Sequence, residues 1–223
     1  MRIAVITGAS SGMGREFAIK LEAQKNFDEI WVIARRADRL EELKSVLGDK
    51  VRPISLDLTE QESLEKYKVM LEEEKPEISV LVNASGYGKF GAFEDLPLDE
   101  QLGMLDLNAK ALTAVTYLSL PYLEKGSEVY QIASLSSFQP VPYLAVYGAT
   151  KAYVLSFTRA IGAELRKKGI KMMAVCPGWV KTEFFDRAVV KEGALAFFND
   201  PLHTVRAVVV SGEDHSRESP RRV

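Results

Sequence analysis

Histidine and cysteine are almost missing from this chain, and their scarcity excludes several classes of catalytic and metal site. The two histidines, His203 and His215, lie near the C-terminal end, so the rest of the chain works without imidazole. This argues against a Ser-His-Asp triad, a Cys-His dyad and a His-rich zinc site in the main body, and we expect no metal. Tyr, Lys, Asp or Glu remain for acid–base chemistry. The single Cys176 excludes an internal disulfide and favours a reducing compartment.

The chain also lacks a basic excess and a long apolar run. Its 29 Lys and Arg stand against 31 Asp and Glu, a net charge of −2, which provides no field for nucleic acid or anionic lipid. The apolar run Ile3–Ile6 is shorter than a signal peptide requires, and no run approaches the ~18–20 apolar residues of a membrane span. We therefore expect a cytoplasmic protein with neither nucleic acid nor membrane as a partner.

What the chain does contain is an alternation of short apolar runs with longer amphipathic ones. The pattern predicts strands at 2–7, 29–34, 51–56, 78–83, 128–134 and 171–176, with a possible seventh at 204–210. It predicts helices at 12–25, 38–47, 60–74, 97–125 (in two pieces) and 145–168. Such alternation is typical of an α/β fold with one doubly wound parallel sheet of six to seven strands and helices on both faces.

The domain boundary follows from composition. The amino-acid composition changes near residue 200, and the last residues, SGEDHSRESPRRV, have almost no apolar side chains to bury. We predict one α/β domain at 1–198 and an atypical, partly disordered C-terminal segment at 199–223.

A glycine-rich turn, TGASSGMG, joins the first strand to the first helix at 7–14. Glycines let the backbone turn tightly there, and the following helix directs free N–H groups at the turn, which favours a pyrophosphate. The spacing is G-x-x-x-G-x-G, which is neither G-x-G-x-x-G nor a P-loop. The alternative is a turn that only packs the helix against the strand.

The end of the second strand bears on the choice of cofactor. An NAD site carries Asp or Glu there for the ribose 2′-hydroxyl, whereas this chain has Ala34 followed by Arg35 and Arg36. Two guanidiniums suit a 2′-phosphate, so we expect NADP(H) rather than NAD(H). The alternative is a pair of solvated arginines.

Tyr147 and Lys151 lie one turn apart at the start of the long helix, on one face. An ammonium there is expected to lower the pKa of the phenol from its ordinary ~10. Ser134 ends the fifth strand at the same sheet edge, where a hydroxyl can bind a carbonyl oxygen. Residues 177–182, PGWVKT, follow the sixth strand at that edge. A Tyr–Lys pair is also common on exposed helix faces, so the context carries this interpretation.

Taken together, these motifs resemble the short-chain dehydrogenases/reductases. The matching features are TGASSGMG at 7–14, Asp57, NASG at 83–86, Asn108, Ser134, YGATK at 147–151 and PGWVKT at 177–182, in the family's order and spacing over about residues 1–185. The family usually has N-N-A-G where this chain has NASG. The final residues resemble nothing in the family, as a truncated or frame-shifted end would.

The resemblance implies a Rossmann-type fold, makes the predicted domain at 1–198 a dinucleotide-binding and catalytic domain, and gives each matching residue a role. It makes Tyr147 the general acid/base, Lys151 the residue that lowers the pKa of Tyr147 and holds the nicotinamide ribose, and Ser134 the substrate-orienting hydroxyl. Asn108 is similar to the family residue that supports a water-linked proton path to the lysine. The residues implied at the cofactor are Gly8, Ser10, Ser11, Gly12 and Met13 (pyrophosphate), Asp57 and Leu58 (adenine), Asn83, Ala84, Ser85 and Gly86 (adenosine ribose), and Pro177, Gly178, Val180 and Thr182 (nicotinamide).

The implied activity is hydride transfer between NADP(H) and a small carbonyl or alcohol substrate, by an oxidoreductase acting on CH–OH groups. The family analogy further implies a homodimer or homotetramer. The competing interpretation is an NADP(H)-binding regulatory protein, or a catalytically impaired relative of the enzymes.

Overall fold

Strands and helices alternate along the chain. The structure, a computed structural model, describes residues 1–24, 26–178, 188 and 208–211. The strands in this part are β1 (Arg2–Thr7), β2 (Glu29–Ala34), β3 (Val51–Ser55), β4 (Glu77–Asn83), β5 (Leu123–Ile132), β6 (Lys171–Cys176) and β7 (Val208–Ser211). The helices are α1 (Gly12–Gln24), α2 (Ala37–Leu47), α3 (Gln61–Glu74), α4 (Leu98–Leu105), α5 (Leu112–Ser119) and α6 (Ala145–Leu165). A π-helical turn, Asp106–Ala111, joins α4 to α5.

The strands form one sheet in the order β3-β2-β1-β4-β5-β6-β7. The first six are parallel, which confirms the predicted doubly wound α/β fold. β7 runs antiparallel to β6, with Val209 opposite Val175, a common arrangement for the edge strand of such a sheet. It overlaps the possible strand at 204–210, of which 204–207 lie outside the described residues. The division at residue 198 stays a prediction, although β7 lies beyond it and joins the same sheet.

The continuous apolar strands are buried because helices cover both faces of the sheet. In β1, Ile3 and Val5 belong to the core cluster that includes residues of α3 and α5, whereas Ala4 and Ile6 belong to the cluster that includes residues of α1 and α2. Successive side chains point to opposite faces of a strand, so one short run serves two cores.

β1 is the point where the strand order reverses, since β2 and β4 lie on either side of it. The Thr7 hydroxyl oxygen accepts hydrogen bonds from the backbone N–H groups of Ala84 and Ser85, both at 3.2 Å. The segments that follow β1 and β4 are thus tied together at the sheet's carboxyl edge. In α/β sheets, ligands bind in the crevice at this reversal.

The middle of the chain departs from the predicted helix at 97–125. The helix ends at Ser119, a short 3-10 turn covers Leu120–Tyr122, and β5 begins at Leu123, earlier than the predicted 128. Pro121 explains the end of the helix, since proline has no N–H and clashes with the preceding turn. The π-helical turn was not predicted either.

The remaining helices match their predictions to within a few residues. Residue 25, the end of the helix predicted at 12–25, lies outside the described residues. α6 extends over 21 residues and buries Gly148, Lys151, Leu155 and Gly162 among others. Across residues 1–24, 26–178, 188 and 208–211, no helix combines the length and the apolar character needed to cross a bilayer.

Candidate active site

A cleft lies at the carboxyl edge of the sheet, where the strand order reverses. Gly8 follows β1, Ala34 ends β2, Ala84 follows β4 and Ala133 follows β5, and all four line it. The sequence-predicted residues that line it are Gly8, Ser10, Ser11, Gly12, Met13, Arg35, Arg36, Asp57, Leu58, Ala84, Ser85, Gly86, Ser134, Tyr147, Lys151, Pro177 and Gly178. Motifs scattered over most of the described chain therefore meet in one place.

Two of the predicted site residues lie behind the cleft instead of lining it. Asn83 is 2% exposed and donates its side-chain N–H to the Thr116 hydroxyl at 3.1 Å. Asn108 is fully buried. Val180 and Thr182 lie outside the described residues, so the structure says nothing of them.

Several lining residues were absent from the predicted set. They are Gly14, Ala34, Leu56, Tyr87, Leu107, Ile132 and Ala133. Ile132 and Ala133 directly precede Ser134 at the end of β5, so their place in the chain was a usable signal. Leu56 and Leu107 are ordinary apolar residues with no motif to mark them.

The glycine turn leaves no room for side chains. Gly8 has φ +68°, and a Cβ added to it would lie 2.6 Å from the Ala84 carbonyl carbon. A Cβ on Gly14 would lie 2.4 Å from the Gly8 carbonyl oxygen. α1 begins at Gly12 with no acidic residue in its first turn. The bare backbone and the helix N-terminus make a cradle that fits a pyrophosphate.

The two arginines after β2 have different partners. Arg36 donates to the hydroxyls of Ser10 at 3.1 Å and Ser11 at 2.8 Å, which holds its guanidinium beside the glycine turn. Arg35 lies 3.5 Å from the Asp57 carboxylate. Arg36 is thus the one fixed against the glycine turn.

Asp57 is an ionised group at the rim of the cleft. Burial raises the pKa of its carboxyl, but hydrogen bonds from Thr59 and the nearby Arg35 guanidinium outweigh that effect and lower it. The Thr59 hydroxyl donates at 2.7 Å and its backbone N–H at 3.1 Å. The carboxylate is therefore a fixed hydrogen-bond acceptor.

Ser134 and Tyr147 place two hydroxyls in the cleft. Ser134 caps a 3-10 turn, Leu135–Ser137, and its oxygen accepts from the Ser136 N–H at 3.2 Å. Burial raises the pKa of Tyr147 to about 12, and a hydrogen bond with Ser134 only partly offsets it. The expectation that this pKa lies below its ordinary value is therefore wrong for this structure, because burial outweighs the favourable contacts.

Lys151 lies beneath these hydroxyls, with 5% of its surface exposed. Its Nζ donates to the Ile132 carbonyl at 2.7 Å and lies 5.8 Å from the centre of the Tyr147 ring. Burial lowers the pKa of Lys151 to about 8, and the Cys176 thiol opposes this effect. The ammonium faces a backbone carbonyl, which explains why it does not draw down the pKa of Tyr147.

Asn108 connects the cleft to the helix behind it. It lies in the π-helical turn, and its Oδ1 accepts from the Tyr87 N–H at 3.0 Å while its Nδ2 donates to the Tyr87 carbonyl at 2.8 Å. A Cβ on Gly86 would lie 2.9 Å from this Oδ1 and 3.4 Å from the Lys151 Nζ. Glycine at 86 thus lets the loop approach both side chains.

The low pKa of Lys151 predicts how stability depends on pH. The folded-state pKa of about 8 lies below the ordinary 10.5, so the unfolded chain holds this proton more tightly between those values. The free energy of unfolding of the wild type should therefore rise, relative to that of Lys151→Met, as the pH increases from 8 to 10.5. Over this pH range the difference in the free energy of unfolding between the two proteins should grow by about 3 kcal/mol.

Urea unfolding of both proteins across this range measures the difference. Tyr147 and Cys176 have raised pKa values and act in the opposite sense. The contribution of Tyr147 cancels in the difference, whereas that of Cys176 cancels only in part, because its thiolate interacts with the Lys151 ammonium. A difference that stays constant with pH would contradict the prediction.

Comparisons with known proteins identify relatives of this chain. The family model described as short chain dehydrogenase matches residues 2–192. An uncharacterized oxidoreductase of Staphylococcus epidermidis is 33% identical over 183 residues, covering 81% of this chain and 79% of that protein. A serine 3-dehydrogenase of Rhizobium radiobacter is 33% identical over 204 residues, covering 89% and 79%.

Solved structures lead to the same family. A short-chain dehydrogenase from Sphingobium yanoikuyae in complex with NADPH superposes with a TM-score of 0.76 at 29% identity, covering 84% of this chain and 75% of that one. A closed serine dehydrogenase with NADP⁺ gives a TM-score of 0.75 at 27% identity, covering 84% and 76%. With matching sequence and fold, this chain belongs to the short chain dehydrogenase family.

Proposed function

We propose that the protein transfers hydride between NADP(H) and a carbonyl or alcohol substrate, with Tyr147 as general acid/base. Membership in the family makes it an oxidoreductase; the cofactor preference and the acid/base group are the proposal. The observation that carries it is the meeting of Tyr147, Ser134 and Lys151 in the same cleft as the glycine turn. A bound nicotinamide would supply the hydride, and the protein supplies binding, orientation and the proton.

The residues of the cleft fit a dinucleotide along its length. The pyrophosphate would lie on the bare turn from Gly8 to Met13 at the start of α1. Asp57 and Leu58 would flank the adenine, Ala84 to Gly86 the adenosine ribose, and Lys151 and Pro177 to Gly178 the nicotinamide end. Asn83 supports this site from behind, since its side chain binds Thr116.

The proton chemistry follows from the phenol. A pKa of about 12 keeps Tyr147 protonated at neutral pH, so it is ready to donate when a carbonyl oxygen gains negative charge. The Ser134 hydroxyl beside it would donate a second hydrogen bond to that oxygen, which orients the substrate and stabilises the developing charge. A protonated phenol can supply the proton that carbonyl reduction requires.

The first experiment measures NADPH oxidation against a panel of aldehydes and ketones. We expect turnover with at least one compound of the panel and little with NADH. Serine and other 3-hydroxy acids belong in the panel in the oxidative direction, because a relative of 33% identity is named serine 3-dehydrogenase. NADPH binding by calorimetry without turnover of any compound would favour the binding-only alternative.

The NADP(H) preference rests on Arg36. Removing a charge-assisted contact to a phosphate costs about 1.5–3 kcal/mol, so Arg36→Ala should raise the KM for NADPH by about 10- to 100-fold. The KM for NADH, which has no 2′-phosphate, should barely change. Neighbours of 27–31% identity solved with NADPH or NADP⁺ support the assignment.

Arg39→Ala is the matched control for this variant. Arg39 lies on α2 close to Arg36, but its guanidinium is exposed and pairs with Glu42 at 3.4 Å. It should leave both KM values unchanged. Equal changes in the KM for NADPH and NADH on loss of Arg36 would refute the assignment.

We also propose that the protein forms a homodimer or homotetramer through α4 and α5. Leu98, Leu102 and Leu105 follow helical spacing and are exposed, and Tyr117 on α5 is 73% exposed. Apolar side chains grouped on an exposed helical surface mark an association surface. Sedimentation velocity gives the oligomeric state directly.

A further inference from the structure

Thr150 is buried beside the candidate catalytic pair and has so far no role. It precedes Lys151 on α6, is 1% exposed, and its hydroxyl donates to the Tyr147 carbonyl at 2.7 Å. The same hydroxyl oxygen accepts from Asn108 Nδ2 at 3.1 Å. One side chain thus connects the backbone of Tyr147 to the π-helical turn.

Asn108 continues this connection to a third segment. The second N–H of Asn108 Nδ2 donates to the Tyr87 carbonyl at 2.8 Å, and Asn108 Oδ1 accepts from the Tyr87 N–H at 3.0 Å. Both amide hydrogens of Asn108 are therefore used, one for each neighbouring segment. The loop after β4, the π-helical turn and α6 meet at this one pair of side chains.

The position of Thr150 matters because of what lies on either side of it. Its hydroxyl holds the carbonyl of Tyr147, and its backbone continues directly into Lys151. Lys151 in turn extends to the Ile132 carbonyl, at the end of β5. A shift of α6 relative to the π-helical turn would therefore move both the phenol and the ammonium relative to Ser134.

The other buried threonine of this helix shows what an ordinary hydroxyl does there. Thr158, also on α6 and 1% exposed, donates to the Val154 carbonyl at 2.6 Å. This is the local contact that threonine commonly makes inside a helix. Thr150 differs because it also accepts from a side chain of another element, and that element contributes Leu107 to the cleft.

We propose that Thr150 is a positioning residue, which sets the placement of Tyr147 and Lys151 by locking α6 to Asn108 in the π-helical turn. The proposal rests on the proposed function, since it assigns Thr150 a part in the proton chemistry of that site. The Thr150 hydroxyl is buried and does not line the cleft. Because the contacts proposed for the glycine turn and Arg36 with the cofactor do not depend on Thr150, its effect should fall mainly on kcat, with only a small change in the KM for NADPH.

Three variants separate positioning from simple stability. Thr150→Val keeps the shape and removes the hydroxyl, Thr150→Ser keeps the hydroxyl, and Thr158→Val removes the ordinary hydroxyl from the same helix. We expect Thr150→Val to lower kcat by about 10- to 100-fold, since small misplacements of reacting groups cost this much. Thr150→Ser should recover most of the rate, and Thr158→Val should keep it. Equal kcat values for Thr150→Val and wild type would overturn the proposal, as would equal losses in the two valine variants.

A second readout does not need turnover. Lysine labelled with ¹³C at Cε allows NMR titration of Lys151, with Lys151→Met identifying its signal. The titratable groups that face it in the described part of the chain are Tyr147 and Cys176. If Thr150→Val loosens this packing and admits water, the pKa of Lys151 should rise from about 8 towards its ordinary 10.5.

The two readouts also separate failure of the proposal from failure of the function. If the wild type turns over no substrate, the proposed function fails and the Lys151 titration alone tests Thr150. A titration of Lys151 that is the same in wild type, Thr150→Val and Thr158→Val would then reject the positioning role. A rise in Thr150→Val alone would support it.

Discussion

Tyr147→Phe should lower the kcat for NADPH-dependent ketone reduction by about a thousandfold, the range expected for loss of a positioned proton donor. The variant keeps the ring and its packing but leaves the carbonyl oxygen with only the Ser134 hydroxyl. Because the ring remains, the KM for NADPH should change little. Steady-state kinetics at neutral pH and the wild-type optimum measure both quantities.

Tyr153→Phe provides the matched control. Tyr153 lies on the same helix, and its exposed hydroxyl bonds Thr113 at 2.7 Å, away from the cleft. It should keep the wild-type kcat. If Tyr147→Phe were as active as the wild type, another group would have to donate the proton and the proposed acid/base assignment would be wrong.

Gly8→Ala should destabilise the fold by about 3 kcal/mol and abolish measurable NADPH binding. The left-handed backbone costs a side chain about 1–2 kcal/mol, and forcing a methyl group into packed backbone costs about as much again. The methyl group would meet the Ala84 carbonyl carbon at 2.6 Å, so the two segments that we propose to hold the dinucleotide must separate. Urea unfolding measures the free energy, and calorimetry with NADPH measures the binding.

Gly126→Ala isolates the backbone cost from the steric one. Gly126 has φ +96°, but nothing lies within 4 Å of the added Cβ. The free energy of unfolding of Gly126→Ala should be about 1 kcal/mol lower than that of the wild type, and NADPH binding should be intact. Equal losses of stability in the two variants would show that contact with Ala84 is not what demands glycine at position 8.

The sheet was predictable because its strands are short apolar runs with helical segments between them. Ile3 to Ile6 and Ile30 to Ile33 are buried on both faces, so hydrophobicity alone marks them. β5 was placed too late because its first half is polar and exposed, and only the pairing of Leu123 with Ile78 reveals it. Pairing between distant segments leaves no local trace in a sequence.

The candidate site also has a part that the sequence predicted and a part that it did not. Tyr147, Lys151 and Ser134 were found from their motifs, and the structure brings them together. What sequence could not supply was the direction of each side chain. Asn83 points into the core towards Thr116, and Lys151 faces the Ile132 carbonyl. Burial of Tyr147 raises its pKa, and burial of this kind depends on the assembled fold.

The π-helical turn restricts how this chain can change in length. In an α-helix each residue is rotated by about 100° about the helix axis from the one before it. The π-helical turn at Asp106–Ala111 is wider and contains more residues per turn. Removing one residue there would rotate α4 about its axis relative to α5 and direct Asn108 away from both Tyr87 and Thr150. Surface loops tolerate insertions and deletions. Between Leu98 and Ser119, however, we expect a one-residue insertion or deletion to displace Asn108 and so disturb the site.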